Sequence, residues 1–189
     1  MWEELIRYDK ELFLFLNNLG NPSWDGFWMF VTNKFSSIPI YILLILLTHR
    51  YFGAKKTLWV ILSAIVLVVA VNGLADFFKY GVQRLRPCYD PEVNLLMRLV
   101  KDTCGGKFGY FSAHAANSFA IAFFFTAVLR RKLRYIGFLL MAWAFLMAYS
   151  RIYIGVHFPL DVLTGGLLGL FLSWIASKLY IFAQQKFPQ

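Results

Sequence analysis

Residues 57–78 read TLWVILSAIVLVVAVNGLADFF, and that run decides the fold. About 20 helical residues cross the hydrocarbon of a bilayer, and no charge interrupts this run before Asp76 near its end. Asn72, Asp76 and Lys79 follow one another at helical spacings, so a local ion pair is one reading of Asp76 and Lys79. Ahead of the run, His49, Arg50, Lys55 and Lys56 flank a short loop. Residues 24–48 are apolar but hold Asn33, Lys34, Ser36 and Ser37 near their middle, where a lysine costs about 2.5–3.5 kcal/mol. They divide into a short interfacial segment and a span over residues 35–50. At the start of the chain, Leu5, Tyr8, Leu12, Phe15, Leu16 and Leu19 recur at helical spacing against Glu4, Arg7, Lys10 and Glu11. That is an amphipathic helix, expected to lie on the membrane interface; a packing helix of the soluble type is the alternative.

Downstream, a polar loop of residues 80–110 carries Arg84, Arg86, Cys88 and Cys104. Apolar runs follow at 111–129, 135–149 and 160–182, separated by Arg130-Arg131-Lys132-Leu133-Arg134 and by residues 150–159. In the last run Gly165 and Gly169 stand four apart, a spacing that lets helices pack closely. Composition agrees: 59% hydrophobic and 15% charged residues are too apolar for an ordinary soluble domain. The expected fold class is an all-α integral membrane protein with about five transmembrane helices and an N-terminal amphipathic interfacial helix. Residues 1–189 form one membrane-embedded domain, with 1–34 an interfacial segment and 80–110 an extracytoplasmic loop. Met1-Trp2-Glu3-Glu4 is acidic where a secretory signal is basic, so no cleaved leader is expected. The net charge of +9 gathers at the ends of apolar runs, as juxtamembrane charge does. It suits an anionic lipid headgroup; no soluble basic face exists for nucleic acid.

The chemistry is densest at residues 150–161, SRIYIGVHFPLD. Pro159 suits the first turn of a helix and Asp161 its dipole, while Phe158, before proline, is biased away from helical angles. His157 then sits in the turn leading into that helix, within reach of Asp161. Interfacial anchors and a helix cap are the bland reading of this stretch; a histidine oriented by a carboxylate for catalysis is the other. Topology separates the two. The loops at 49–56 and 130–134 hold seven Lys and Arg residues, which marks their side as cytoplasmic. Lys79, the 80–110 loop, His114, Ser150, Arg151 and His157 all fall on the opposite face. His49 alone among the histidines stays at the basic side. Unrelated anchors would not collect in this way.

Lys79, then Arg86-Pro87; Ser112-Ala113-His114; and Ser150-Arg151, His157 and Asp161 together resemble the tripartite signature of the type 2 phosphatidic acid phosphatase superfamily. These are membrane lipid phosphatases that share a site with vanadium haloperoxidases. The resemblance implies that His157 is the nucleophile, becoming a phosphohistidine, that Asp161 holds its other ring nitrogen, and that His114 protonates the leaving group and then activates water. It implies that Lys79, Arg86, Ser112 and Arg151 hold the phosphate oxygens, with backbone N–H groups near Ala113 adding an anion site. Ala113 departs from the family's glycine at this place, so a reshaped phosphate pocket is expected rather than a dead one. Arg84 fits no motif position and reads as an accessory headgroup contact.

Cys88 and Cys104 lie in the loop that carries Arg86, with 15 residues between them. A bridge closing such a loop is worth roughly 3 kcal/mol and would suit an oxidising compartment; two free buried thiols are the alternative. No metal or other cofactor is implied, because the two site histidines lack a ligand set at metal-binding spacing. The resulting expectation is a metal-independent phosphatase, with its site on the periplasmic face of a bacterial inner membrane. Its partner is a membrane lipid phosphate: undecaprenyl diphosphate, the 1-phosphate of lipid A, or phosphatidylglycerol phosphate. A non-catalytic binder or carrier of anionic lipids is the rival reading, resting on Ala113. A vanadate-dependent oxidant is a remote third.

Overall fold

A computed structural model describes residues 1–186. Its helices are α1 (Trp2–Asn18), α2 (Pro22–Thr32), α3 (Ile38–Val82), α4 (Ala113–Leu129), α5 (Ile136–Tyr153) and α6 (Pro159–Lys186), with short 3-10 turns at Lys34–Ser37 and Pro87–Tyr89. Among the described residues the only β contact is an isolated bridge between Leu85 and Phe108.

α3 is two rods. Gly53 has φ 78° and ψ 173°, a conformation essentially confined to glycine, and the chain reverses there. Ser37, Tyr41 and Ile45 consequently line the same cavity as Ile61, Val68 and Asn72, which makes the two arms antiparallel. Beside the turn, Thr57 donates its hydroxyl to the Gly53 carbonyl at 2.8 Å and Thr48 to the Leu44 carbonyl at 2.7 Å. These bonds satisfy hydroxyls that would otherwise be buried without partners. The long apolar stretches 34–82, 136–153 and 159–186 have the length and composition to cross a membrane; α4 is apolar but shorter, at 17 residues. Leu43, Leu62, Val66, Phe138, Phe145, Leu167 and Phe171 are all exposed on their outward faces. Water would oppose so much exposed apolar surface, whereas lipid accepts it.

α4 is the central rod. Ala115, Ala116, Ala120, Ala122 and Phe124 are fully buried on it, and small residues let α6 approach closely. A Cβ on Gly165 would come 2.5 Å from the Ser112 carbonyl oxygen, and one on Gly169 would overlap the Ala116 carbonyl. Ser173 donates across this interface to the Ala120 carbonyl at 2.8 Å.

The N-terminal segment is more than an interfacial raft. Leu5, Tyr8, Leu12, Phe15 and Leu19 do face outward, as a lipid-facing stripe requires. A second row, Asp9, Phe13 and Asn17, turns inward and is buried. Asn17 donates to the carbonyls of Arg98, Ile152 and Tyr153 and accepts from the Arg98 N–H at 2.7 Å. The short segment after it, expected at the interface, is also a docked helix. On α2, Asp25 pairs with Arg98 at 2.9 Å and accepts from the Tyr153 hydroxyl at 2.8 Å, and Trp28 stacks on the Tyr153 ring. α2 ends at Thr32, and Lys34 opens the short 3-10 turn that leads into α3. α5 runs on to Tyr153, so Ser150 and Arg151 lie within its last turns.

Charge divides along the helices. All ten Asp and Glu residues lie in α1, α2, the loop after α3, or the α3 and α6 ends beside that loop. Arg50, Lys55, Lys56, the 130–134 cluster, Lys178 and Lys186 occupy the opposite end with no Asp or Glu among them.

Candidate active site

Between α3 and α4 the chain doubles back to place two arginines. The Arg86 N–H donates to the Lys107 carbonyl at 3.1 Å, and the Gly109 N–H to the Arg84 carbonyl at 2.9 Å. The Arg86 side chain is then aimed by carbonyls: Nε donates to Phe108 at 3.2 Å and Nη1 to Cys104 at 3.0 Å. Cys88 and Cys104 are joined by a disulfide with Cα atoms 6.3 Å apart, so the carbonyl that aims Arg86 is itself anchored. Burial lowers the Arg86 pKa from its ordinary value, and among the described residues no carboxylate pairs with it.

His157 enters from the turn between α5 and α6. The Ser112 N–H donates to the Asp161 carbonyl at 2.9 Å, which brings the starts of α4 and α6 together and His114 with them. Ser112 is fully buried and caps α4, its Oγ accepting from the Ala115 N–H at 3.4 Å. Its hydroxyl proton is left for another acceptor. His114 and Ala113 line a cavity of about 660 Å³, which continues between α3 and α4 past Asn117, Ile121 and Phe125. From His114 to Phe125 is roughly 16 Å along the helix. The cavity thus joins a polar end to a long apolar groove. Lys34 lines it as well.

Arg151 is almost fully buried. One nitrogen, Nη1, donates to the Thr32 hydroxyl, and Nε has no hydrogen-bond partner. A buried guanidinium with an unsatisfied N–H is poised for an anionic acceptor. Burial, reinforced by Arg151 and then Arg86, holds the His157 imidazole well below its usual pKa. Lys79 acts in the same direction, although its ammonium is also paired with Asp76 at 2.7 Å. A neutral imidazole surrounded by cations is a nucleophile that awaits a polyanion.

Two expectations are corrected. Asp161 does not hydrogen-bond His157: Oδ2 stands 3.7 Å from Nδ1, beyond hydrogen-bond range, and with the imidazole neutral this is no ion pair either. Its oxygens are committed elsewhere, Oδ1 to Arg84 at 2.7 Å and Oδ2 to the Phe158 N–H at 3.0 Å. Arg84 is therefore not an accessory headgroup contact. It pairs with Asp161 and with Asp9, and its guanidinium lies 4.4 Å from the centre of the Phe158 ring. Asp9 also accepts from the Leu160 N–H at 2.8 Å. Asp9, Thr32 and Arg84 are the residues that sequence reasoning missed at this site. The recurrence of Asp9, Phe13 and Asn17 every fourth residue was the available signal for α1.

The buried Arg151 and the half-buried Arg86 flank His157, which is itself buried behind the cavity wall, while His114 opens onto the cavity and its apolar groove. This arrangement fits a membrane enzyme acting on a phosphorylated lipid. Comparison with known proteins agrees. The family model of the PAP2 superfamily matches residues 56–185. A lipid A 4'-phosphatase of Bacteroides thetaiotaomicron is 34% identical over 93% of this chain and 78% of its own length. An undecaprenyl-diphosphatase of Sulfolobus acidocaldarius is 27% identical over 94% of this chain and 81% of its own. The crystal structure of Aquifex aeolicus LpxE, 32% identical, superposes with a TM-score of 0.64, covering 89% of this chain and 93% of that one. The chain belongs to the PAP2 superfamily and is a membrane lipid phosphatase.

Proposed function

We propose that this protein removes a phosphate from a lipid A-type saccharolipid through a phosphohistidine at His157. The observation that carries the chemistry is the neutral, buried His157 held among Arg86, Arg151 and Lys79. His157 Nε2 attacks phosphorus in line, and the bond from phosphorus to the lipid oxygen breaks. His114 gives its proton to that leaving oxygen. It then takes a proton from water, whose oxygen attacks phosphorus as the P–N bond breaks, releasing inorganic phosphate. Arg86, Arg151, Lys79 and the Ser112 hydroxyl carry the phosphate oxygens, whose charge spreads in the transition state. Asp161 acts at longer range, fixing the turn that presents His157.

The lipid assignment rests on the Bacteroides relative, a lipid A 4'-phosphatase; a polyprenyl diphosphate is second, on the Sulfolobus relative. The cationic loops at 49–56 and 130–134 support a site facing the periplasm. Phosphate release by purified protein, with chelator present, tests the chemistry. We expect turnover on lipid A that falls at least ~1000-fold in His157→Ala and ~100-fold or more in His114→Ala. Turnover that survives His157→Ala would overturn the assigned nucleophile. A preference for undecaprenyl diphosphate or phosphatidylglycerol phosphate would overturn the lipid assignment alone.

A further inference from the structure

At the end of the helices away from the catalytic cavity lies a second cavity, of about 530 Å³. Lys56 lines it from the turn within α3, and Arg130, Arg131 and Lys132 line it from the turn after α4. Arg130, Arg131 and Lys132 are exposed and Lys56 is half-buried, and among the described residues no Asp or Glu pairs with any of them. Ser177 of α6 lines the same cavity. It is 5% exposed, yet its Oγ is buried with no hydrogen-bond partner. Buried hydroxyls are normally satisfied, so this one is a donor without an acceptor at the foot of four cations.

The cavity does not end there. An apolar groove of about 750 Å³ runs between the second arm of α3 and α6, and Tyr180 and Gln184 line both spaces. It extends from Trp59 to Ala70 on α3 and from Gln184 back to Leu172 on α6. At about 1.5 Å per residue this is roughly 16–18 Å, close to half of a ~30 Å hydrocarbon layer. It also lies on the other face of the rod from the catalytic groove. Ile61, Ala64 and Val68 face the catalytic cavity, while Leu62, Val66 and Ala70 face this one.

We infer that this is a second lipid site, holding an anionic phospholipid of the leaflet opposite the catalytic cavity. Its phosphate sits among Arg130, Arg131, Lys132 and Lys56 and accepts from Ser177, and an acyl chain lies in the groove. Charge complementarity selects an anionic headgroup, and the groove's depth selects a lipid over a free anion. The site is independent of the catalytic reading, because none of its residues belongs to the catalytic machinery.

Native mass spectrometry of the full chain in neutral detergent tests it, with dioleoylphosphatidylglycerol, dioleoylphosphatidylcholine and inorganic phosphate as probes. The catalytic cavity is common to every variant, so differences between variants read the far site. We expect the wild type to bind phosphatidylglycerol at least tenfold more tightly than phosphatidylcholine, and the R131Q/K132Q double variant to lose that preference. Ala183→Phe, at an exposed groove position, should weaken phosphatidylglycerol at least tenfold while leaving inorganic phosphate unchanged. A preference for phosphatidylglycerol as strong in R131Q/K132Q as in the wild type would overturn the site. Phosphatidylglycerol binding that ignores Ala183→Phe, with inorganic phosphate lost in R131Q/K132Q, would mean a free-anion site and overturn the lipid.

Discussion

Arg84 Nη1 lies 2.7 Å from Asp161 Oδ1, a contact between the loop after α3 and the first turn of α6, 77 residues apart. Asp9 of α1 holds the same guanidinium, so one arginine fastens three segments beneath His157. Removing it would strand two carboxylates, one of them fully buried. Breaking a buried pair from one side costs about 3–5 kcal/mol. We expect Arg84→Ala to lower the thermal unfolding midpoint in detergent by several degrees and to reduce kcat more than it raises KM, since the residue positions the His157 turn. Asp9→Asn keeps an acceptor for the Leu160 N–H and should do less on both counts. An unchanged midpoint in Arg84→Ala would show that the pair contributes no stability.

The His157 environment has a pH signature. Burial and the neighbouring cations put its folded-state pKa below the unfolded value, which is about 6.5. Between the two values the unfolded chain binds a proton that the folded chain refuses, so this group's contribution to stability falls as pH drops below about 6.5. The same shift keeps the nucleophile neutral in mild acid. We expect the acid limb of kcat/KM, which reports the free enzyme's base, to lie below pH 6.5. The loss of stability between pH 6.5 and 5 should be smaller in His157→Ala than in wild type. An acid limb at or above 6.5 would mean the imidazole is not the shielded base described here.

What the sequence revealed follows from what lipid demands. Helices in hydrocarbon must be long, apolar and nearly free of charge, so the stretches at 57–78, 111–129 and 160–182 were legible from composition alone, and helices occupy all three. The motif histidines and arginines were legible because their local spacing is fixed by the turns that carry them. Arg84 was not. Its role depends on how Leu85 bridges to Phe108 and where α1 docks, and neither pairing leaves a periodic trace. In α1 the apolar row from Leu5 to Leu19 is the louder pattern and hid the inward row of Asp9, Phe13 and Asn17. Lys34 made residues 24–48 ambiguous until Asn33 capped the next turn, its side chain accepting from the Phe35 N–H.

Cys88 and Cys104 hold the loop that aims Arg86. Arg86 Nη1 donates to the carbonyl of Cys104 itself, so the bridge and the phosphate ligand share a residue. Opening it should free the arginine before it unfolds the helices. We expect Cys88→Ser/Cys104→Ser to raise KM severalfold with a smaller change in kcat, and to lose up to about 3 kcal/mol of stability, the chain-entropy value for a loop of this size. After thiol blocking, wild-type protein should migrate differently with and without reductant. Equal migration would leave the loop without its bridge.

Ala113 offers a direct test of how the phosphate pocket ranks its lipids. It is the first residue of α4, beside the Ser112 cap, and its side chain lines the catalytic cavity with His114. A methyl there narrows the approach of a phosphate to the first N–H groups of the helix, but it removes no catalytic group. Glycine at the same position costs less than about 1 kcal/mol of helix propensity and widens the approach. Ala113→Gly should keep kcat within about tenfold while shifting the ranking among lipid A, undecaprenyl diphosphate and phosphatidylglycerol phosphate, because only the pocket's shape has changed. Phosphate release by both proteins on all three lipids is the measurement. An unchanged ranking, or a kcat that rises far beyond tenfold when the methyl is removed, would overturn this account of the pocket.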